Sequence, residues 1–213
     1  VIVTRLGSKE KYDVVLTKGL PALSALINAG HLKPIDDYLE NEDSLDVKNY
    51  KGLDEQLQVD GKRYALPFRS DNNLIYYNKD LFDAAGVDYP EDGMTLEEYG
   101  ELARKMTSGE GSEKVYGTHV HTWRSNIYMY ARLLGDEEFV DGNTATYENL
   151  KPYYELFMGL QNDGIVQDYG MLKSSNISYS GVFYNQQAAM LQIGTWYINM
   201  LMENVKSPEE DPD

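Results

Sequence analysis

The chain has 213 residues, with 19 Lys and Arg against 35 Asp and Glu, so its formal charge at pH 7 is −16. A chain this acidic disfavours nucleic acid and anionic membranes as partners, because both are bound through clustered Lys and Arg. It has no Cys, which excludes disulfides, thiolate nucleophiles and cysteine-ligated metal centres. The hydrophobic fraction of 42% is ordinary for a folded soluble chain, and the length permits one large domain or two modest ones.

The two ends of the chain suggest a piece of something longer. The first residue is Val1 rather than Met, which is compatible with removal of an upstream segment. The acidic tail 208–213 (PEEDPD) is expected to be unordered unless further chain follows it. No apolar run approaches the roughly 20 residues needed to span a bilayer. The lack of Cys fits either a cytosolic or an exported protein.

The first third of the chain alternates strand and helix signals. The apolar run 13–16 (DVVL) predicts a buried strand, and the spacing of Leu23 and Leu26 predicts a helix that ends at Gly30. Asp60-Gly61 is a tight-turn signature and predicts a hairpin between 56–59 and 63–66.

Residues 74–77 (LIYY) are rich in strand-forming side chains and predict a further strand, which follows a polar stretch at 69–73. Later segments are predicted from periodicity and capping signals: helices at 80–86, 95–107, 127–134, 150–160, 181–187 and 196–205, and strands at 115–121 and 188–193. The pattern indicates an α/β fold, with 1–68 in a first lobe, 69–78 as a crossing segment and 79–213 in a second lobe.

Common enzyme signatures are missing from the sequence. There is no phosphate-binding loop, no dinucleotide fingerprint and no nucleophile elbow, so no cofactor is expected. His119 and His121 place two imidazoles on one predicted strand, but no third His or Cys completes a metal site, so no metal is expected. With 35 carboxylates, a glycosidase-like pair of acids stays open as an alternative.

Four segments in a fixed order carry a family resemblance. They are 61–68 (GKRYALPF), 74–82 (LIYYNKDLF), 94–98 (MTLEE) and 182–196 (VFYNQQAAMLQIGTW). Together they resemble the extracellular solute-binding proteins of ABC importers, in particular the carbohydrate-binding, maltose-binding-protein-like branch. The resemblance implies a two-lobe periplasmic-binding-protein-like fold that is incomplete here, with the chain truncated at both ends.

The resemblance also implies a ligand site. The crossing segment would line the cleft between the lobes, so Phe68, Arg69, Asp71 and Asn72 are candidate ligand contacts. Independently of the family, carboxylate, amide and guanidinium groups suit the paired hydroxyls of a sugar. The alternative is a solvated turn with an Arg–Asp pair.

Aromatic and loop residues complete the candidate set. Trp196 matches the family's cleft Trp, which stacks on a sugar ring, and the missing side chain of Gly194 would let a ligand approach the backbone. Trp123 falls where the second lobe adds contacts, and Thr17 and Lys18 take the first-lobe loop position. Trp123 is equally open to an interpretation as core or rim, and the alternative for Trp196 is a core residue that opens an amphipathic helix.

The implied function is capture of a neutral sugar or oligosaccharide and its delivery to an ABC transporter membrane permease. The protein would be a monomer outside the cytoplasm, held to the membrane as a lipoprotein in its full-length form. The charge of −16 disfavours an anionic ligand. Two alternatives stay open: the same fold binding a cation such as a polyamine, and a glycan-acting hydrolase.

Overall fold

A computed structural model describes residues 2–8, 11–40, 42, 44, 46–50, 52–123, 125–133 and 148–204. The chain divides into two compact units, Val1–Ser70 and Asp71–Asp213. The predicted unordered tail 208–213 and the ends of two predicted helices, Leu134 and Val205, lie outside the described residues.

The elements follow the order in the sequence. The α-helices are α1 Ile2–Gly7, α2 Gly19–Asn28, α3 Asp36–Leu39, α4 Lys79–Ala85, α5 Leu96–Met106, α6 Ser125–Leu133, α7 Lys151–Asn162, α8 Tyr169–Ser175, α9 Tyr179–Tyr184 and α10 Tyr197–Asn204. The strands are β1 Gln58–Val59, β2 Lys62–Arg63, β3 Asn73–Tyr77, β4 Tyr116–His119 and β5 Ala188–Gly194. Short 3₁₀ turns are Val47–Tyr50, Glu55–Leu57, Gly111–Glu113 and Glu148–Leu150.

The first unit contains the predicted hairpin in a shorter form. Strands β1 and β2 are antiparallel, and they are joined by Asp60 and Gly61 with φ of 52° and 72°. Two consecutive positive φ angles are typical of the type I′ turn, which matches the twist of a hairpin and favours Asp-Gly. The hairpin prediction is therefore confirmed.

Two carboxylates attach this hairpin to the rest of the first unit. The Arg63 guanidinium donates from Nε to Asp54 Oδ2 at 3.1 Å, and its Nη2 lies 3.0 Å from the same oxygen. Its backbone N–H donates to Asp36 Oδ2 at 3.0 Å, at the start of α3. Because Asp54 is only 4% exposed, its charge depends on Arg63 for compensation.

The predicted buried strand at 13–16 is wrong. The segment has no regular structure, and Val14 and Leu16 are 81% and 75% exposed. A strand is stabilised by a neighbour that pairs with its N–H and C=O groups. In the part of the chain that the structure describes, no strand pairs with 13–16. The helix predicted after it is confirmed as α2, which buries Leu23 and Leu26.

The second unit is built on a three-stranded mixed sheet in the order β3-β5-β4. Strand β3 runs antiparallel to β5, with Asn73 opposite Gly194, and β4 runs parallel to β5. Every residue of the central strand β5 is buried, including the polar Gln192, which follows the apolar run 188–191. Strand β3 occupies half of the predicted crossing segment 69–78 and belongs to this sheet.

Helices cover both faces of the sheet. On one face, α4 to α7 pack their apolar sides around Phe82 and Met190. On the other face, α9 and α10 pack Phe183 and Tyr197 against Leu191. The sheet is thus a middle layer between helices, which confirms the mixed α/β class.

Capping residues fix where the helices of this unit begin. Thr95 and Glu98 form a capping box at the start of α5, with Thr95 Oγ1 accepting from the Glu98 N–H at 3.2 Å. This box is confirmed as predicted. Helix α8 was not predicted, although Asp168 caps it by accepting from the Met171 N–H at 2.7 Å. Its seven residues are too few for a clear hydrophobic period.

Candidate functional site

The start of β3 and the end of β5 meet at one corner of the sheet. The Thr195 N–H donates to the Asn72 carbonyl at 2.8 Å, and the Asn72 N–H donates to Thr195 Oγ1 at 3.2 Å. Thr195 Oγ1 in turn donates to Asp71 Oδ1 at 3.4 Å. These bonds continue the antiparallel pairing beyond Asn73, so the polar residues before β3 lie beside the residues after β5.

Trp196 turns back over the end of its own strand. A Cβ built on Gly194 would collide with three atoms of the Trp196 six-membered ring. The missing side chain at Gly194 therefore makes room for the indole. The close approach of a ligand to the Gly194 backbone stays a prediction.

Four rings form a continuous group, which we call the aromatic cluster: His121, Trp123, Tyr179 and Trp196. The centroids of the two indoles are 6.0 Å apart, at an interplanar angle of 50°. Tyr179 lies 5.4 Å from Trp123, and His121 lies 4.6 Å from Trp123 and 5.0 Å from Tyr179. Tilted and edge-on contacts at these separations are the favourable arrangements for aromatic pairs.

The aromatic cluster rests on buried rings but keeps contact with solvent. Tyr197, which is 1% exposed, lies beneath Tyr179 with ring centroids 5.8 Å apart and contacts Tyr76 at 5.3 Å. By contrast, Trp123 is 39% exposed and Trp196 is half-buried. Neither Trp is a fully buried core residue, since each keeps part of its surface in solvent.

Burial keeps the histidine of the cluster neutral. Desolvation, with smaller effects from His119 and Lys173, lowers the pKa of His121 to about 4. His119 is fully buried, and its Nδ1 lies 2.6 Å from the Gln167 side-chain oxygen. Burial also lowers the pKa of His119. Both imidazoles are therefore neutral at physiological pH.

The two histidines contact each other as rings, with centroids 5.8 Å apart and an interplanar angle of 39°. Within the described residues, no group of three or more His, Cys, Asp or Glu side chains is arranged to hold a metal ion. The chemistry this corner offers is an aromatic surface beside a carboxylate and hydroxyls.

Nine residues were predicted for the site, and five of them lie together at this corner of the second unit. They are Asp71, Asn72, Trp123, Gly194 and Trp196. The other four belong to the first unit: Thr17, Lys18, Phe68 and Arg69. Of these four, Phe68 is 72% exposed, Lys18 and Arg69 are exposed, and Thr17 is half-buried.

Sequence reasoning did not predict that Tyr179 and His121 belong to the aromatic cluster. Tyr179 donates from its hydroxyl to Met200 Sδ at 3.4 Å and accepts from Trp196 Nε1 at 3.3 Å. The high Tyr content, 18 residues, was the only sequence signal, and it does not single out one position. From the sequence, His121 was weighed only as a metal ligand and that role was not adopted, and the structure packs His121 against the aromatic rings.

Comparison with known proteins identifies the family. The chain belongs to the bacterial extracellular solute-binding proteins, whose family model matches residues 1–212. Membership places the protein outside the cytoplasm, in the periplasm or the extracellular space. No described helix is long and apolar enough to cross a membrane.

Solved structures share the fold over most of the chain. A sugar transporter from Rhizobium etli, in an open conformation, is 41% identical with a TM-score of 0.77, covering 99% of this chain and 53% of that one. An ABC substrate-binding protein from Listeria monocytogenes in complex with cycloalternan is 26% identical with a TM-score of 0.72, covering 84% of this chain and 46% of that one. This chain thus spans about half the length of these proteins.

A curated relative binds a different class of solute. The sn-glycerol-3-phosphate-binding periplasmic protein of Agrobacterium fabrum is 29% identical over 98 residues, which are 45% of this chain and 22% of that protein.

Proposed function

We propose that the full-length protein is the substrate-binding component of an ABC transporter, which captures a neutral sugar or oligosaccharide and delivers it to a membrane permease. In this proposal it acts as a monomer without catalysing a reaction, and it is held to the membrane as a lipoprotein. Residues 1–68 contribute to a first lobe, 69–78 form the crossing segment, and 79–213 form most of the second lobe.

The observation that carries the proposal is the position of two partly exposed indoles beside a carboxylate. Sugar rings have apolar C–H faces and a rim of hydroxyls, so they are bound by aromatic stacking together with polar groups at the edge. Trp123 and Trp196 offer the aromatic surface, and the Asp71 carboxylate, which accepts a hydrogen bond from Thr195 Oγ1, offers acceptor oxygens next to it. Family membership and the sugar-binding neighbours support the same assignment.

The charge of the chain favours a neutral ligand. At −16 the protein's field repels anions, although its glycerol-phosphate-binding relative accepts one. Arg69 stays a candidate ligand contact, because it lies in the crossing segment. A polyamine is the second candidate class, since acidic and aromatic surfaces also suit ammonium groups.

Substitutions at the corner test the site. Trp196→Ala and Asp71→Ala in the full-length protein are each expected to weaken sugar binding about tenfold or more, which corresponds to about 1.4 kcal/mol. Tyr154→Ala removes an exposed aromatic ring on α7, 49% exposed, and is the matched control with affinity within twofold of wild type. If Trp196→Ala and Asp71→Ala both leave affinity within twofold, the site is wrongly assigned.

A further inference from the structure

The indole N–H of Trp196 is bonded within the protein. It donates to the Tyr179 hydroxyl at 3.3 Å, and that hydroxyl donates to Met200 Sδ at 3.4 Å. The relay joins three elements, because Trp196 follows β5, Tyr179 begins α9 and Met200 lies on α10. The indole nitrogen is a donor only and carries one N–H group. The bond to Tyr179 is therefore the one hydrogen bond that the Trp196 side chain makes.

Tyr179 also contacts the other rings of the aromatic cluster. Its ring lies 5.4 Å from Trp123 at 65° and 5.0 Å from His121 at 73°. Below it, Tyr197 lies at 5.8 Å. Rings therefore contact Tyr179 on two sides. Its hydroxyl accepts from the Trp196 indole N–H, and that indole occupies the space left by the missing side chain of Gly194.

We propose that Tyr179 is a positioning residue that fixes the Trp196 indole so that it meets the ligand with its ring surface alone. This inference rests on the proposed function, in which Trp196 contacts a sugar. With its N–H already bonded to Tyr179, Trp196 contributes stacking and no hydrogen bond to the ligand.

Losing the Tyr179 hydroxyl should release the indole without removing any ring. Holding a stacking partner in one orientation lowers the entropy lost on binding. Tyr179→Phe is therefore expected to weaken binding of a cyclic sugar about three- to tenfold. Tyr154→Phe, which removes a hydroxyl from an exposed Tyr on α7, is the matched control and should bind within twofold of wild type.

The hydrogen bond from Trp196 Nε1 to the Tyr179 hydroxyl can be tested in the protein without ligand. In ¹H–¹⁵N NMR spectra of the full-length protein, the signal missing from Trp196→Phe identifies the Trp196 indole N–H. In Tyr179→Phe this signal should shift upfield and exchange faster with water, and in Tyr154→Phe it should stay in place. An unchanged signal in Tyr179→Phe would overturn the positioning role.

A double-mutant cycle separates positioning from general packing. In the Trp196→Phe background no N–H is left to hold, so Tyr179→Phe should cost no further affinity. Equal losses in both backgrounds would overturn the proposal, as would a shifted indole signal with affinity unchanged within twofold. If wild-type protein binds no sugar while the indole signal responds as expected, the proposed function fails, and the ligand role of Tyr179 fails with it.

Discussion

The indole of Trp196 occupies the space into which a side chain on Gly194 would project. The two residues are separated only by Thr195, and the collision would involve three atoms of the Trp196 six-membered ring. Gly194 is also the last residue of β5 and pairs with Asn73. The corner that holds the aromatic cluster therefore depends on a residue without a side chain at this position.

Gly194→Ala is expected to displace the Trp196 indole and to lower the free energy of unfolding by about 1–3 kcal/mol, because the added methyl group overpacks the corner. Urea unfolding and tryptophan emission report the two effects. Gly159→Ala on α7 is the control, since a Cβ there meets nothing within 4 Å and should be neutral or stabilising. Wild-type stability and emission in Gly194→Ala would contradict the packing described here.

Thr95→Ala is expected to lower the free energy of unfolding by about 1 kcal/mol, because it removes the side-chain acceptor that caps α5. Thr95→Ser keeps the hydroxyl and should recover most of this loss. Thermal unfolding of the two variants measures the difference. Equal melting temperatures for the Ala and Ser variants would argue against a contribution from the capping box.

Asp54→Ala is expected to destabilise the first unit by about 2 kcal/mol, because Arg63 loses its more buried partner while Asp36 remains. Asp13→Ala, at an exposed position of the same unit, is the control and should change stability by less than about 0.5 kcal/mol. Limited proteolysis across the hairpin follows local opening. Indistinguishable cleavage rates for the two variants would contradict a stabilising role for Asp54.

Stability should rise with pH on the acidic side of neutrality. The pKa of His121 is about 4 in the folded protein, below its ordinary value of 6.5, so the unfolded chain binds more protons between these values. The contribution of His121 to the free energy of unfolding is fully present above about pH 6.5 and is lost as the pH falls toward 4. His119 acts in the same direction.

His121→Phe keeps a ring in the aromatic cluster and removes the titration, so it should reduce the slope of unfolding free energy against pH between 4 and 6.5. Urea midpoints at four or five pH values give this slope. A slope equal to that of wild type would mean that His121 does not titrate with a lowered pKa in the folded state.

Local signals in the sequence predict much of the fold. The Asp-Gly turn at Asp60, the capping box at Thr95 and the apolar run of β5 each depend on a few neighbouring residues, and each is confirmed. The segment 13–16 has an equally strong apolar run but is exposed, because a strand also needs a pairing partner that its own residues do not specify.

The candidate site is harder to predict because it is assembled across the sheet. The register of β3 against β5 places Asp71 near Thr195, although they are 124 positions apart in the chain. Trp196 was identified from the family pattern, whereas its partner Tyr179 lies 17 residues earlier on another element. Only the packing of α9 on the sheet brings these two side chains together.

Calorimetric titration of the full-length protein tests the central claim most directly. The ligands are neutral mono- and oligosaccharides, with polyamines and sugar phosphates as controls, and each sugar is recovered afterwards to check for hydrolysis. We predict saturable binding of one class of neutral cyclic sugar, with the sugar recovered intact. Binding of only a polyamine or a sugar phosphate, or recovery of a hydrolysed sugar, would contradict the account.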